Sequence, residues 1–255
     1  MTDTGYYLYG IIKNMPLADN IPGIDEGAVL AISFHEIVGI VSAVSLAEFG
    51  EVPLKKNLES LDWVRDKVFG HERVIETVMK QTAVIPMKFC TIFNSRERIL
   101  ELLEKKHGLF TELLEKYSDK REWGGKVYCR KKPDVAITPT ATGKEYLQMK
   151  KRQYELAQEY ERRVNKAVDE IFKRINGLAE LSRINRPTPQ ELLPYNDKEQ
   201  VLNASFLVRE TQEKKLRALA DELAVHYGEE GLTLELAGPL PVYSFIESEP
   251  NGNHN

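Results

Sequence analysis

Cys90 is the residue in this chain whose type and neighbours come nearest to a nucleophile. It lies in TAVIPMKFCTIFNSRERI, residues 82–99, between Phe89 and Thr91 and two positions after Lys88. In a regular strand Lys88 and Cys90 share a face, and an ammonium beside a thiol favours the thiolate. Burial in an apolar run acts the other way and raises the thiol pKa. The run is apolar enough to favour a structural cysteine.

Other constellations fail on a single position. His71-Glu72 opens an HExxH pattern, but Ile75 stands where the second histidine belongs, so one helical turn offers a single zinc ligand. Gly143-Lys144 suggests a phosphate loop, yet Glu145 replaces the Ser/Thr that would hold magnesium and Thr138 replaces the first glycine. Gly124-Gly125-Lys126 has no GxGxxG pattern, and its glycines suit a bulge or a close backbone approach at a strand start. There is no GxSxG elbow. His107, before Gly108, fits a helix bend at the surface. The carboxylates alternate with lysines along helix faces, where i,i+4 pairs contribute about 0.2–0.5 kcal/mol each. No reaction class emerges, and no catalytic, cofactor-binding or metal-ligating set is expected.

Composition narrows the class further. The 255 residues suffice for one large or two ordinary domains, and 42% hydrophobic content supplies their cores. A net charge of −4 argues against nucleic acid as a partner. Cys90 and Cys129 are far apart with no CxxC, which fits reduced thiols in the cytoplasm. The start, MTDTGYYLYG, lacks the basic and apolar regions of a signal peptide. No run reaches the roughly 18 apolar residues of a membrane span. A soluble intracellular protein is the expectation.

The elements that must position these residues follow from hydrophobic period. YYLYGIIK (6–13) reads as a buried strand and AVLAISFHEIVGIVSAV (28–44) as two strands turning at His35-Glu36. Residues 54–80 are helical, with a break or bend expected at Gly70. The 82–93 stretch reads as a short strand in which Pro86 belongs at a start, an edge or a bulge. Residues 95–117 form a helix capped by Ser95, and EWGGKVYCRK (122–131) returns to strand. The expected fold class is α+β in two domains. An N-terminal ferredoxin-like variant spans 1–131, a Pro- and Thr-rich linker 132–143, and a C-terminal α+β domain with a polar tail 144–255.

In that second domain a helix of about 142–180 carries Tyr146, Met149, Tyr160, Val164, Val168, Ile171, Ile175 and Leu178 in one stripe. Gln153 and Ala157 weaken a coiled-coil seam, which favours a core stripe, although the length leaves room for pairing with another helix. INRPTPQELLPYND reads as irregular, 200–208 as strand, and 209–228 as amphipathic helix. The strand from Leu232 is expected to stop at Gly238-Pro239. Two binding surfaces are conceivable: a basic patch of Arg130, Lys131, Lys132, Lys150, Lys151 and Arg152, and an N-terminal edge strand open to β-pairing.

Five stretches in order resemble the gas vesicle protein family GvpF/GvpL. They are YYLYGII, HERVIETVMKQTAVIPMKFCTIF, EWGGKVY (with Trp123 and Gly124), TATGKEYL and LAGPLPVYSF, spread over residues 6–246. The family's H-x-x-V and V-x-P-x-(R/K)-F-G-T motifs are met by His71, Val74, Val84, Pro86, Lys88, Phe89 and Thr91, with Cys90 in place of the usual glycine. T-G-(R/K)-x-Y-L is met by Thr142, Gly143, Lys144, Tyr146 and Leu147, and G-P-x-P-x-Y-x-F by Gly238, Pro239, Pro241, Tyr243 and Phe245. The resemblance implies an accessory or minor structural protein of gas vesicle formation, in the cytoplasm and on the vesicle. It implies partners too: the shell protein GvpA and other accessory Gvp proteins, with no nucleic acid, no membrane and no enzyme activity. The motif residues then have structural or partner-binding roles. The competing reading is a cytosolic ferredoxin-like enzyme or ligand-binding protein with an interdomain pocket.

Overall fold

The computed structural model describes residues 4–17, 21–131 and 143–246. They form two compact units, one from residues 1–121 with 240–255 and one from 122–239.

The first unit runs β1 (Thr4–Lys13), β2 (Val29–Phe34), β3 (Ile37–Ser45), α1 (Leu46–Phe49), α2 (Glu51–Asn57), α3 (Leu61–Met79), β4 (Ile85–Pro86), β5 (Ile92–Phe93), α4 (Arg96–Lys105) and α5 (His107–Lys116). Its sheet has the order β2-β3-β1-β4, with β5 also pairing β1, and every pairing is antiparallel. β1 carries the apolar run read from the sequence and is central, with Tyr7, Leu8, Tyr9, Ile11 and Ile12 buried. The expected N-terminal edge strand is therefore not β1. Among the described residues one edge of the sheet is β2, whose strand partner is β3 and whose outer side meets residues 21–22 only at its start, through the Pro22–Ala28 bridge and the Val29 N–H to Ile21 O bond.

The β2–β3 turn falls at His35-Glu36 as expected, with His35 in the left-handed region at φ 51°. The helix break expected at Gly70 lies instead at residues 58–60. There Ser60 caps α3 by accepting the Trp63 N–H at 3.4 Å, and α3 runs unbroken through Gly70. A hydroxyl competing for backbone donors starts a new helix more effectively than one glycine ends an old one. Gly70 has a different task, since a Cβ there would lie 3.3 Å from the Ile24 backbone. Ser95 caps α4 on the Arg98 N–H as expected. The 95–117 helix divides at Lys106.

The second unit runs β6 (Lys120–Arg130), α6 (Gly143–Asn176), β7 (Leu181–Ile184), β8 (Lys198–Arg209), α7 (Glu213–Gly228) and β9 (Leu232–Leu240). Sheet order is β7-β8-β6-β9. Trp123, Val127, Phe206, Leu216 and Leu223 pack with Val164, Ala167, Ile171 and Ile175 of α6 into its core. The long helix was legible, and β7 was not. β9 continues past the expected stop, through a cis Gly238–Pro239 bond to Leu240. The α6 stripe is buried only from Val164 onward; Tyr146 and Met149 are exposed, contrary to the core-stripe expectation.

The final helix, α8 (Tyr243–Ile246), belongs to the first unit. The units thus depart from a simple division at residue 131: most of β6 falls with the second, and residues 240–246 fall with the first. Strand ladders decide the grouping of β6, which period alone does not disclose. The 132–142 segment, including Lys132 and Thr142, lies outside the described residues, as does the polar tail from 247.

Candidate functional site

Motif residues of the first unit converge on a chain of buried and part-buried hydrogen bonds. α3 presents His71 from the face that also buries Val74, Ile75 and Val78, the spacing of an inward helical stripe. β1 presents Tyr7 and Tyr9, two residues apart and hence on one face, with ring centroids 4.8 Å apart. The Tyr7 hydroxyl lies 3.0 Å from His71 Nδ1, and the Tyr243 hydroxyl of α8 lies 3.0 Å from His71 Nε2. Tyr243 in turn donates to Glu72 Oε1 at 3.1 Å, and the Cys90 N–H donates to the Tyr7 oxygen at 2.8 Å.

These contacts assign the protons. Tyr243 spends its proton on the Glu72 carboxylate, so it accepts from His71 Nε2–H. His71 Nδ1 is then the acceptor, and it receives the Tyr7 proton. The chain runs from Cys90 N–H through Tyr7, His71 and Tyr243 to Glu72 with each donor matched to one acceptor. A second branch ties Tyr9 to Ser42 Oγ at 2.7 Å while its oxygen accepts the Ile24 N–H at 2.7 Å.

Burial sets the protonation of this network. Burial lowers the His71 pKa to about 4, so the ring is neutral near pH 7. Burial raises the Tyr7 and Tyr9 hydroxyls above their usual value. It also raises the Cys90 thiol to about 11, so the thiolate population at neutral pH is negligible. Glu72 is shifted upward, first by burial and then by the neighbouring Glu76 charge, against the Tyr243 hydrogen bond. The arrangement joins four chain segments: β1, α3, the loop carrying Cys90, and α8.

The 82–93 stretch also departs from expectation. Two two-residue strands flank a loop at 87–91, in which Cys90 sits at φ 61° in the left-handed region. Lys88 and Cys90 therefore do not share a strand face. Pro86, with no N–H, pairs with Gly10 in the short strand at the sheet's end. Around the loop, Met87 N–H donates to Tyr9 O at 2.8 Å, Leu8 N–H to Thr91 O at 2.9 Å, and Thr91 Oγ1 to Lys88 O at 2.7 Å. Phe89 lies edge-on to the His71 ring, centroids 5.8 Å apart. Lys88 itself is exposed. The Tyr117 hydroxyl adds a bond to Phe245 O at 3.3 Å.

In the second unit Trp123 and Gly238 meet. Gly238 has φ 147°, and a Cβ there would lie 2.8 Å from the Trp123 ring. Arg217 covers that ring at 4.5 Å and donates to Gly238 O at 3.3 Å. Pro239 follows across the cis bond. Gly124 lies half-buried in β6, and Pro241 is buried just before α8. Gly143 and Tyr146 stand apart from both groups at the exposed start of α6.

Tyr7, Tyr9 and Ser42 were not singled out from the sequence. The alternating tyrosines of YYLY were the available signal. Among the described residues, no group of three or more His, Cys, Asp or Glu is placed to hold a metal, and no helix is long and apolar enough to cross a membrane.

Comparison with known proteins gives a consistent picture. The family model for "Gas vesicle synthesis protein GvpL/GvpF" matches residues 5–247. A gas vesicle protein L of Streptomyces sp. (strain CB03234) is 26% identical over 253 residues, covering 96% of this chain and 93% of the relative. The crystal structure of gas vesicle protein GvpF from Anabaena sp. PCC7120 superposes with a TM-score of 0.70 at 19% identity, over 99% of this chain and 100% of that one. GvpF from Microcystis aeruginosa gives 0.66 at 20% identity, over 94% and 98%. The two superpositions establish the fold.

Proposed function

The chain belongs to the gas vesicle synthesis protein GvpL/GvpF family, and from that membership we propose that it is an accessory protein of nucleation and assembly that binds the shell protein GvpA and other Gvp proteins. It works in the cytoplasm and on the growing vesicle, as a binding protein and not as an enzyme. The motif residues hold the first unit in the form that binds, and they do no chemistry.

The observation that supports this reading is the outer edge of β2 beyond Val29, which no strand among the described residues covers. The β2–β3 ladder closes on a two-residue turn with Phe34 opposite Ile37, so the N–H groups of residues 30, 32 and 34 point to β3 and those of 29, 31 and 33 point away. Val29 obeys the rule, donating outward to Ile21 O at 3.2 Å. Ala31 and Ser33 present the next outward donors, beside the exposed side chain of Leu30. A small apolar shell protein aggregates unless its strands are held before assembly, and an open edge can hold one by adding it to the sheet.

Ala31→Pro tests the reading in the full chain. It removes an outward N–H at an edge position where proline is tolerated. Co-purification with GvpA should fall at least about tenfold, with the fold retained by circular dichroism. Undiminished GvpA capture would refute the β2 site. Normal vesicles by electron microscopy after deletion of the gene would refute the assembly role.

A further inference from the structure

We propose that the first three turns of α6 are a docking arm for an acidic protein, which receives the helix in an apolar groove and sets carboxylates against its lysines and Arg152. The inference deepens the proposed function. It rests on the reading that this chain binds other Gvp proteins, and it gives them a surface of their own on the second unit.

The apolar stripe of α6 outlasts its cover. Val164, Ala167, Ile171 and Ile175 are buried in the second unit's core, and Tyr160 packs partly against it. Toward the start of the helix Tyr146, Leu147, Met149 and Tyr154 are exposed, Leu147 by 68%. Residues 143–154 thus form an arm about 18 Å long at 1.5 Å per residue. A single exposed apolar side chain is ordinary, but four grouped on one short stretch mark an interaction site.

Charge sets this stretch apart from the rest of the chain. Residues 143–154 hold four cations, Lys144, Lys150, Lys151 and Arg152, against one carboxylate, Glu145, whereas the whole chain carries a net −4. All four cations are exposed. Of the wider basic patch read from the sequence, Lys131 donates to Asn196 O at 2.9 Å and is engaged within its own unit. On α6 the nearest answering acid is Glu155, in a long pair with Lys151 at 3.9 Å.

The placing of these groups selects the occupant. At about 100° per residue Tyr146, Leu147, Met149 and Tyr154 fall on one half of the helix circumference, and Lys144, Lys151 and Arg152 on the other. That is the form of a helix laid into an apolar groove. Lys150 is the exception, four residues after Tyr146 and four before Tyr154, so it stands between the two rings on the apolar half. Lipid acyl chains offer nothing to pair with a charge there, whereas a protein groove can place a carboxylate opposite it. The same segment of a second copy would set cation against cation. An acidic protein answers both the apolar half and the positive charge.

Binding of each purified Gvp protein other than GvpA to the immobilised full chain tests this. At least one should bind, it should carry a negative net charge, and its affinity should fall as ionic strength rises from about 0.01 M to about 0.15 M. Leu147→Glu and Lys150→Glu should each raise its dissociation constant about tenfold or more, and Lys150→Arg should stay within about threefold of the unsubstituted chain. Circular dichroism melts show that each variant folds, and Ala31→Pro should bind normally. Vesicles of phosphatidylglycerol and phosphatidylcholine serve as a second probe and should not bind. Capture indifferent to Leu147→Glu and Lys150→Glu overturns the arm and leaves the proposed function standing. Vesicle binding that is lost in Leu147→Glu assigns the arm to a lipid surface and overturns it too. Failure of every such Gvp protein to bind refutes the underlying reading, and the arm with it.

Discussion

The first unit's core and the arm of α6 use the same residue type for opposite ends. Tyr7 is 0% exposed and has both hydrogen-bonding roles of its hydroxyl filled, whereas Tyr154, on the arm, is 64% exposed. Buried, a tyrosine is a specifying element, because an unmatched hydroxyl in low dielectric costs more than a matched one contributes. Exposed on a helix, with its oxygen accepting only from Gln158 Nε2 at 2.8 Å among the described residues, Tyr154 contributes little to folding. Family motifs include residues of both kinds, Tyr243 in the core and Tyr146 on the arm. Motif membership therefore does not distinguish architecture from interface.

Acidification should break the comparison most strongly. His71 has its folded pKa depressed to about 4 against an ordinary 6.5, so the unfolded chain takes up the proton first. Stability from this group is fully present above pH 6.5 and is lost as pH falls toward 4, by up to about 3 kcal/mol. Glu72, shifted upward, acts in the opposite sense, and its contribution is lost as pH rises through its titration. Urea unfolding of the first unit at pH 7 and pH 4.5 measures the difference, and His71→Gln should flatten it.

Tyr243→Phe comes next. It leaves His71 Nε2–H without an acceptor and withdraws a donor from Glu72, for an expected loss of about 1–2 kcal/mol in the urea midpoint. Cys90→Gly should act in the other direction. The left-handed φ of 61° costs a residue with a side chain about 1 kcal/mol relative to glycine, so the variant gains roughly that much. Smallest of all, Tyr154→Ala on the arm should change monomer stability by less than about 0.5 kcal/mol. A larger loss would mean that the arm packs on its own chain.

Local signals were legible where they were chemically local. The His35-Glu36 turn, the Ser95 cap and the long α6 each follow from neighbouring residues. Cys90 reads as strand from its neighbours, whereas its left-handed backbone goes with an N–H bonded to the Tyr7 oxygen 83 residues away. The His71 network needed contacts spanning 64 and 172 positions, which no window of period can contain. The α6 stripe was visible as a helical face, but period does not say what covers a face. β6 looked like the close of the first half because the linker after it was the stronger punctuation, while its strand partners lie later in the chain.

The central claim is that this chain serves gas vesicle assembly by receiving a partner strand at the open edge of β2. Amide hydrogen exchange of the Ala31 and Ser33 N–H groups, in the free chain and in the complex co-expressed with GvpA, measures it directly. Both amides should exchange freely in the first state and become strongly protected in the second, with Leu30 and Ile32 protected in both. A complex that forms while Ala31 and Ser33 exchange as fast as before would contradict the claim.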